Sequence, residues 1–248
     1  MKKALITGAS TGIGALFATT LQNQGWEVFG VARQEEKLKE IFKVGHYFMA
    51  DLTTEEGLSE VEQYLKVKKF DLLINNAGFG DYKKFLDSDL DIQMKMMHLN
   101  MDALVRLSYA YLKTAVAGDA LMNISSALSL MPMPGGAVYS GTKAFVTAFT
   151  ECLWYELKDQ DIYVFADLPG AVSTPFHKNA GGDEAAFDPK MMLKPDQVVK
   201  EALQALNKRK NPTVVNGSQY KLFTKMSQAL SRKKRLDIMA KNSLAYKK

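Results

Sequence analysis

Seven short apolar runs punctuate the chain, at residues 4–6, 26–31, 46–49, 71–74, 120–124, 162–167 and 213–215. Between them lie segments of helical character: 13–24 (Leu16, Phe17, Thr20 and Leu21 on one face), 36–42, 54–67 (Leu58, Val61 and Leu65), 89–116, 138–158 and 195–207. This alternation constrains the fold more than any other feature. A run apolar at successive positions, rather than at every second one, must be buried on both faces. Strands separated by helices are joined by crossovers, which pair them in parallel. The pattern predicts a doubly wound α/β fold, a parallel sheet of about seven strands with helices on both faces. No fixed-period repeat or linker-like stretch interrupts it before about residue 217, so residues 1–217 are expected to form a single domain.

The chain has 248 residues, 47% of them hydrophobic, which is enough to cover such a sheet and too apolar for a disordered protein. No apolar run approaches the roughly 18 residues of a spanning helix. The basic start is followed by only Ala4-Leu5-Ile6 before Thr7-Gly8, too short for a secretory core. The single cysteine, Cys152, cannot form an internal disulfide and, beside Leu153 and Trp154, reads as a core residue. The expectation is a soluble, cytoplasmic protein. The net charge of +5 is concentrated at one end: residues 218–248 hold nine basic side chains against Asp237, or +8, leaving −3 for residues 1–217. A mildly acidic body argues against a nucleic-acid footprint. The remainder reads as a basic helical C-terminal extension with Leu222, Phe223, Met226, Ala229 and Leu230 on one face and a solvated basic run at 232–235. Docking on the body or on a second subunit is the favoured reading of it, with contact to an anionic membrane surface second.

Directly after the first run comes Thr7-Gly8-Ala9-Ser10-Thr11-Gly12-Ile13-Gly14, leading into a helix. A tight strand-to-helix turn needs a residue without Cβ, a second glycine lets backbone approach a pyrophosphate, and a third lets the helix pack close to the sheet. The free N–H groups of the helix start attract phosphate. Gly8, Ser10, Thr11, Gly12, Ile13 and Gly14 are therefore the candidate dinucleotide cradle.

This turn, with Asn75-Asn76-Ala77-Gly78 after the fourth run and Tyr139-Ser140-Gly141-Thr142-Lys143 at a helix start, resembles the short-chain dehydrogenase/reductase superfamily in its compact single-domain branch. The resemblance runs from Lys3 to about Val215. It implies a Rossmann fold and an oxidoreductase that moves hydride between a nicotinamide cofactor and a ketone, aldehyde or secondary alcohol. Tyr139 and Lys143, four apart on a helix, share a face, and an ammonium one turn from a phenol favours the phenolate. The resemblance makes Tyr139 the proton donor, tuned by Lys143, which also grips the nicotinamide ribose. It makes Ser126, thirteen residues before Tyr139, a hydrogen-bond donor to the substrate oxygen, and its neighbour Ser125 a bystander. Asn100 completes the set by holding a water that leads protons from Lys143. A regulator that senses the dinucleotide without turning it over is the rival reading, but it has no need of Tyr and Lys at this spacing.

The resemblance also places Asn76, Ala77 and Gly78 beside the adenosine ribose, Asp51 and Leu52 beside adenine, and Pro169, Gly170, Val172 and Thr174 in the loop that holds the carboxamide. Asn75 reads as structural. The second run ends in Ala32-Arg33, where an NAD-preferring site usually carries an acid. Its absence, with a guanidinium suited to the 2′-phosphate, predicts NADP(H) over NAD(H), although Thr11 stands where some NADP-using relatives carry a second base. Family practice further implies a homodimer or homotetramer built on the helices at 89–116 and 138–158.

Three histidines without ligand spacing and one cysteine predict no metal site. His46 and His98 read as structural. His177 lies in the segment 175–193, where the resemblance implies a substrate lid hinged at Gly181-Gly182; it reads chiefly as a packing residue, with substrate contact as the alternative. Phe176, Phe187, Met191, Met192 and Leu193 in that segment, with Leu130, Met131 and Met133, suggest an apolar carbonyl substrate.

Overall fold

The computed structural model describes residues 1–182 and 187–246. Seven strands form one sheet: β1 (Lys3–Thr7), β2 (Glu27–Ala32), β3 (Tyr47–Met49), β4 (Leu72–Asn75), β5 (Ala120–Ile124), β6 (Tyr163–Leu168) and β7 (Thr213–Val215). Their order is β3-β2-β1-β4-β5-β6-β7, with every neighbouring pair parallel. Pleating sends alternate side chains to opposite faces. On β1, Ala4 and Ile6 enter one core and Leu5 the other. The first core is covered by α1 (Gly12–Asn23) and α8 (Pro195–Lys208), which contribute Phe17, Leu21, Val199 and Leu203. The second is covered by α3 (Glu55–Val67) and α5 (Leu104–Leu112) through Leu58, Val61, Leu65, Leu107 and Tyr111. Arg106 clamps these two helices together, its Nε and Nη2 each 2.7 Å from a carboxylate oxygen of Glu62 and its Nη1 2.7 Å from Glu55. The remaining helices are α2 (Glu35–Ile41), α4 (Leu90–Met97), α6 (Ala137–Leu157), α7 (Pro175–Asn179), α9 (Ser218–Gln228) and α10 (Arg232–Asn242).

Three expectations are corrected here. The helix expected at 89–116 is α4 and α5 joined by a π-helical turn, His98–Ala103, and it ends at Leu112. Cys152 is exposed rather than buried. The inner face of α6 is set by Tyr139, Lys143, Val146, Thr147 and Thr150, which turns Cys152 outward with Phe145. The extension is two helices, and α9 is rotated from its expected setting. Tyr220, Thr224 and Ser227 point inward, while Leu222 and Met226 are 61% and 62% exposed. Lys247 and Lys248 lie outside the described residues. Among the described residues no helix is long and apolar enough to cross a membrane.

Asp167 on β6 is fully buried, and its Oδ1 accepts a 2.9 Å hydrogen bond from Asn216 Nδ2. Its Oδ2 and the Asn216 Oδ1 have no hydrogen-bond partner. Burial pushes the Asp167 carboxyl up to about 8, with Glu201 adding to the shift and the Asn216 bond and Lys221 opposing it. The folded-state value lies above the unfolded one, so the proton favours the fold. That contribution is complete below about pH 3.8 and is lost as pH rises to about 8. Asp167→Asn keeps an acceptor for Asn216 and removes the titration. The Tm difference between pH 5 and pH 8 is therefore expected to shrink by several degrees in this variant, at roughly 2–4 °C per kcal/mol. An unchanged difference would overturn the assignment.

Candidate active site

The chain builds outward from β1 to β2 and β3, then returns to lay β4 on the other side of β1. Loops leaving the carboxyl ends of β1 and β4 diverge at that reversal and open a crevice, the usual ligand position in such sheets. Here the crevice is a cavity of about 1420 Å³. Gly8 and Gly12 hold φ of +65° and +58°, conformations that side chains disfavour. A Cβ on Gly14 would run into the Gly8 carbonyl and the Asn76 amide, so the third glycine seats α1 against the turn. The turn is tied across the crevice: Thr7 Oγ1 accepts from the backbone N–H of Asn76 and Ala77, both at 3.0 Å. Asn76 Nδ2 donates back to the carbonyls of Thr7 and Gly8 at 2.9 and 3.1 Å. These glycine positions form a cradle that side chains would fill, beside the start of α1, and the arrangement fits a dinucleotide pyrophosphate.

Tyr139 and Lys143 lie one turn apart on the inner face of α6, both buried in the cavity wall. Lys143 Nζ donates to the Ile124 carbonyl at 2.8 Å and lies 5.8 Å from the centre of the Tyr139 ring. Burial pulls the Lys143 ammonium down to about 8. Burial also pushes the Tyr139 phenol well above its ordinary value, and its hydrogen bond with Ser126 only partly offsets this. Desolvation dominates, and Tyr139 holds its proton at neutral pH. Ser126 lies just beyond β5, where its Oγ accepts from Leu128 N at 3.1 Å and lines the cavity. The hydroxyl of Ser125 points away, 2.7 Å from Thr147 Oγ1 and donating to the Lys143 carbonyl at 2.9 Å.

Asn100 and Gly14 are the two expected site residues that do not line the cavity. Asn100 sits in the π-helical turn between α4 and α5. Its amide brackets Phe79, donating to the carbonyl at 2.9 Å and accepting from the N–H at 3.1 Å, and also donates to Thr142 Oγ1 at 3.2 Å. A π-turn leaves ladder groups unpaired and is common at functional sites. A Cβ on Gly78 would press on Asn100 Oδ1 at 2.9 Å, so this glycine permits the close approach. Asn75 is structural, as expected, donating to Ser108 Oγ and Asn123 Oδ1.

Ser10, Thr11, Ile13, Ala32, Arg33, Asp51, Leu52, Ala77, Pro169, Gly170, Val172 and Thr174 line the same cavity. Arg33 Nη1 is 3.9 Å from Asp51 Oδ2, and both side chains are accessible. Sequence reasoning assigned no site role to five contributors. Lys37, in the first turns of α2 just after Arg33, also reaches the cavity. Tyr82, in the loop after β4, lies edge-on to the Tyr139 ring at 6.3 Å. Tyr220 of α9 packs where a Gly170 Cβ would stand, and its hydroxyl accepts from Ala171 N at 2.9 Å. Phe223 of α9 and Met239 of α10 complete the wall, so the extension closes the site. His177, Phe176, Phe187, Met131, Met133 and Met191 line it as well.

The sequence model of the short chain dehydrogenase family matches residues 2–185. The chain is 33% identical over 189 residues to a very-long-chain 3-oxoacyl-CoA reductase of Macaca fascicularis, covering 71% of this chain and 61% of that relative. It thus spans about three-fifths of that relative's length. It is 32% identical over 200 residues to sulfoacetaldehyde reductase 2 of Chromohalobacter salexigens, covering 74% and 78% of the two chains. Its fold superimposes on a short-chain dehydrogenase from Sphingobium yanoikuyae in complex with NADPH, with a TM-score of 0.82, 30% identity, and 92% and 94% of the chains covered. Glycine turn, paired asparagines and the Tyr139–Lys143 helix, now gathered around one cavity, agree with these likenesses, and the chain belongs to the short-chain dehydrogenase/reductase family.

Proposed function

We propose that the protein is an NADPH-dependent carbonyl reductase of apolar ketones or aldehydes, able to run in reverse as an alcohol dehydrogenase. The observation that carries this reading is the meeting of Ser126, Tyr139 and Lys143 in one cavity with the glycine turn. Bound NADPH would supply the hydride. The chain's own groups do the rest. Ser126 and Tyr139 donate to the carbonyl oxygen and polarise it. Tyr139, protonated at neutral pH by burial, gives its proton to the oxygen as charge develops there. Lys143, anchored on the Ile124 carbonyl, holds positive charge beside the phenol. Asn100 fixes the backbone at Phe79, next to Gly78 and Lys143 Nζ. The relatives' names span 3-oxoacyl-CoA and sulfoacetaldehyde, so the apolar preference rests on the wall of Leu128, Met131, Met133, Phe176, Phe187 and Met191. The exposed stripe Phe145, Cys152 and Tyr155 on α6 suits a homo-oligomer built on that helix.

Tyr139→Phe removes only the hydroxyl and is expected to lower carbonyl reduction about 10²–10⁴-fold with cofactor binding retained. Activity within a few-fold of wild type would exclude Tyr139 as the acid. Ser126→Ala is expected to cost roughly 2–4 kcal/mol in kcat/KM, and Ser125→Ala far less, because the Ser125 hydroxyl is already engaged by the Lys143 carbonyl and Thr147 Oγ1. Equal losses in two folded variants would refute the choice of serine.

The NADP(H) preference is read from Arg33, with Lys37 behind it and no acid at Ala32. A 2′-phosphate would compete with Asp51 for the Arg33 guanidinium, an accessible pair that is weak in water. The expected preference in kcat/KM for NADPH over NADH is about 10- to 150-fold, most of it lost in Arg33→Ala and part of it in Lys37→Ala. Equal use of both cofactors by wild type, or an unchanged ratio in Arg33→Ala, would defeat the assignment.

A further inference from the structure

Tyr82 is a buried tyrosine of the cavity wall, packed with the apolar side chains of Phe79, Leu128, Met133, Phe176, Phe187 and Leu244. Its ring is fixed on three sides. It stands edge-on to Tyr139 at 6.3 Å and 86°, and it stacks on His177 at 6.0 Å and 24°. Its backbone N–H donates to the Ala180 carbonyl at 2.9 Å, and a Cβ on Gly182 would touch its Cδ2 at 3.0 Å. The direction of its hydrogen bond follows from chemistry. The backbone N–H of Val172 can only donate, and it points at His177 Nε2 at 3.2 Å. That nitrogen is therefore an acceptor, and the ring proton sits on Nδ1. Nδ1 lies 3.1 Å from the Tyr82 oxygen, so the imidazole donates and the hydroxyl accepts. The Tyr82 oxygen thereby keeps its own proton to give. Burial and the neighbouring Tyr139 and Tyr220 keep that phenol protonated well above its ordinary range.

We propose that Tyr82, oriented by His177, is a substrate-binding residue that donates a hydrogen bond to a second oxygen of the substrate, and that the preferred substrates are ketones or aldehydes carrying an ester, carbonyl or hydroxyl oxygen close to the reacting carbon on an otherwise hydrocarbon frame. The inference rests on the carbonyl-reductase reading above and sharpens its substrate class. A hydroxyl positioned in an apolar wall rewards a matching acceptor and penalises a hydrocarbon in its place, since the buried donor is then left without a partner. His177 acts through Tyr82 as a positioning residue. Because its other nitrogen holds Val172 in the loop expected to orient the nicotinamide, the same ring links the two ends of the site.

The test uses the full chain with NADPH and two probes: a β-keto ethyl ester, and the dialkyl ketone in which CH₂ groups replace the ester carbonyl and ether oxygen. The ratio of their kcat/KM values is measured in wild type and in Tyr82→Phe. Because both values come from one preparation, the ratio is independent of how much of the variant folds, and comparing the two ratios cancels the greater intrinsic reactivity of the keto ester. The ester preference is expected to fall about 10- to 100-fold in Tyr82→Phe, mainly through KM. A ratio within twofold of wild type overturns the proposal. A second measurement needs no variant. The matching β-hydroxy ester should inhibit wild type competitively with a Ki about tenfold lower than that of the corresponding dialkyl carbinol, and equal Ki values overturn the proposal. If wild type reduces neither ketone nor any simpler carbonyl compound, with NADPH or NADH, the carbonyl-reductase reading has failed instead.

Discussion

The clasp between Thr7 and Asn76 is the constraint on which the rest of the site depends. Thr7 ends β1 and Asn76 follows β4, the two strands between which the winding of the sheet reverses. Parallel strands present unpaired backbone groups at their carboxyl ends, and at a reversal no crossover helix covers them. Four hydrogen bonds of 2.9–3.1 Å satisfy those groups here, two to the Thr7 hydroxyl and two from the Asn76 amide. Gly8 and Gly14 close around the same amide, which sets the height of α1 over the sheet and hence the direction of its free N–H groups. The glycine turn after β1 and the loop after β4 are thus one hydrogen-bonded unit.

Electrostatics across the cavity follow from burial more than from pairing. The spacing of Tyr139 and Lys143 suggests an ammonium that draws the phenol toward ionisation. In the folded chain both groups are fully enclosed, and desolvation moves each toward its neutral form: the lysine down to about 8, the tyrosine upward. A phenol that keeps its proton is in the correct state to act as the acid in reduction. The carboxyl of Asp167 is shifted by the same cause at the far side of β6. Helical spacing shows which groups are neighbours, whereas the depth to which the fold buries them decides their protonation.

The extension shows how one contact can override an amphipathic pattern. Leu222, Phe223, Met226, Ala229 and Leu230 form a plausible buried stripe. The helix instead turns Tyr220 inward, where the missing side chain of Gly170 leaves room for the ring and the Ala171 N–H needs an acceptor. Thr224 and Ser227 follow inward at no cost in unpaired groups, because each hydroxyl donates to a carbonyl within its own helix. Leu222 and Met226 are left at the mouth of the cavity. Cys152 is exposed for a related reason. Its neighbours Leu153 and Trp154 are partly buried against the core, but α6 takes its inner face from Tyr139, Lys143 and Thr147.

The amino-acid sequence by itself determined the doubly wound sheet, because strands apolar at every position have no other stable home, and it determined the glycine turn, because only residues without Cβ fit there. It also marked Ser126, Tyr139, Lys143 and Arg33, whose spacing relative to strand ends and helix turns survives folding intact. What only the tertiary structure decided are the features that depend on chain segments meeting from far apart. These include the packing of Asn100 in its π-helical turn on Phe79 and Thr142, the Tyr82–His177 pair across 95 residues and the Tyr220 brace across 49. None of these has a local period, since each arises from hydrogen-bonding groups that burial obliges to find partners wherever the packing brings them.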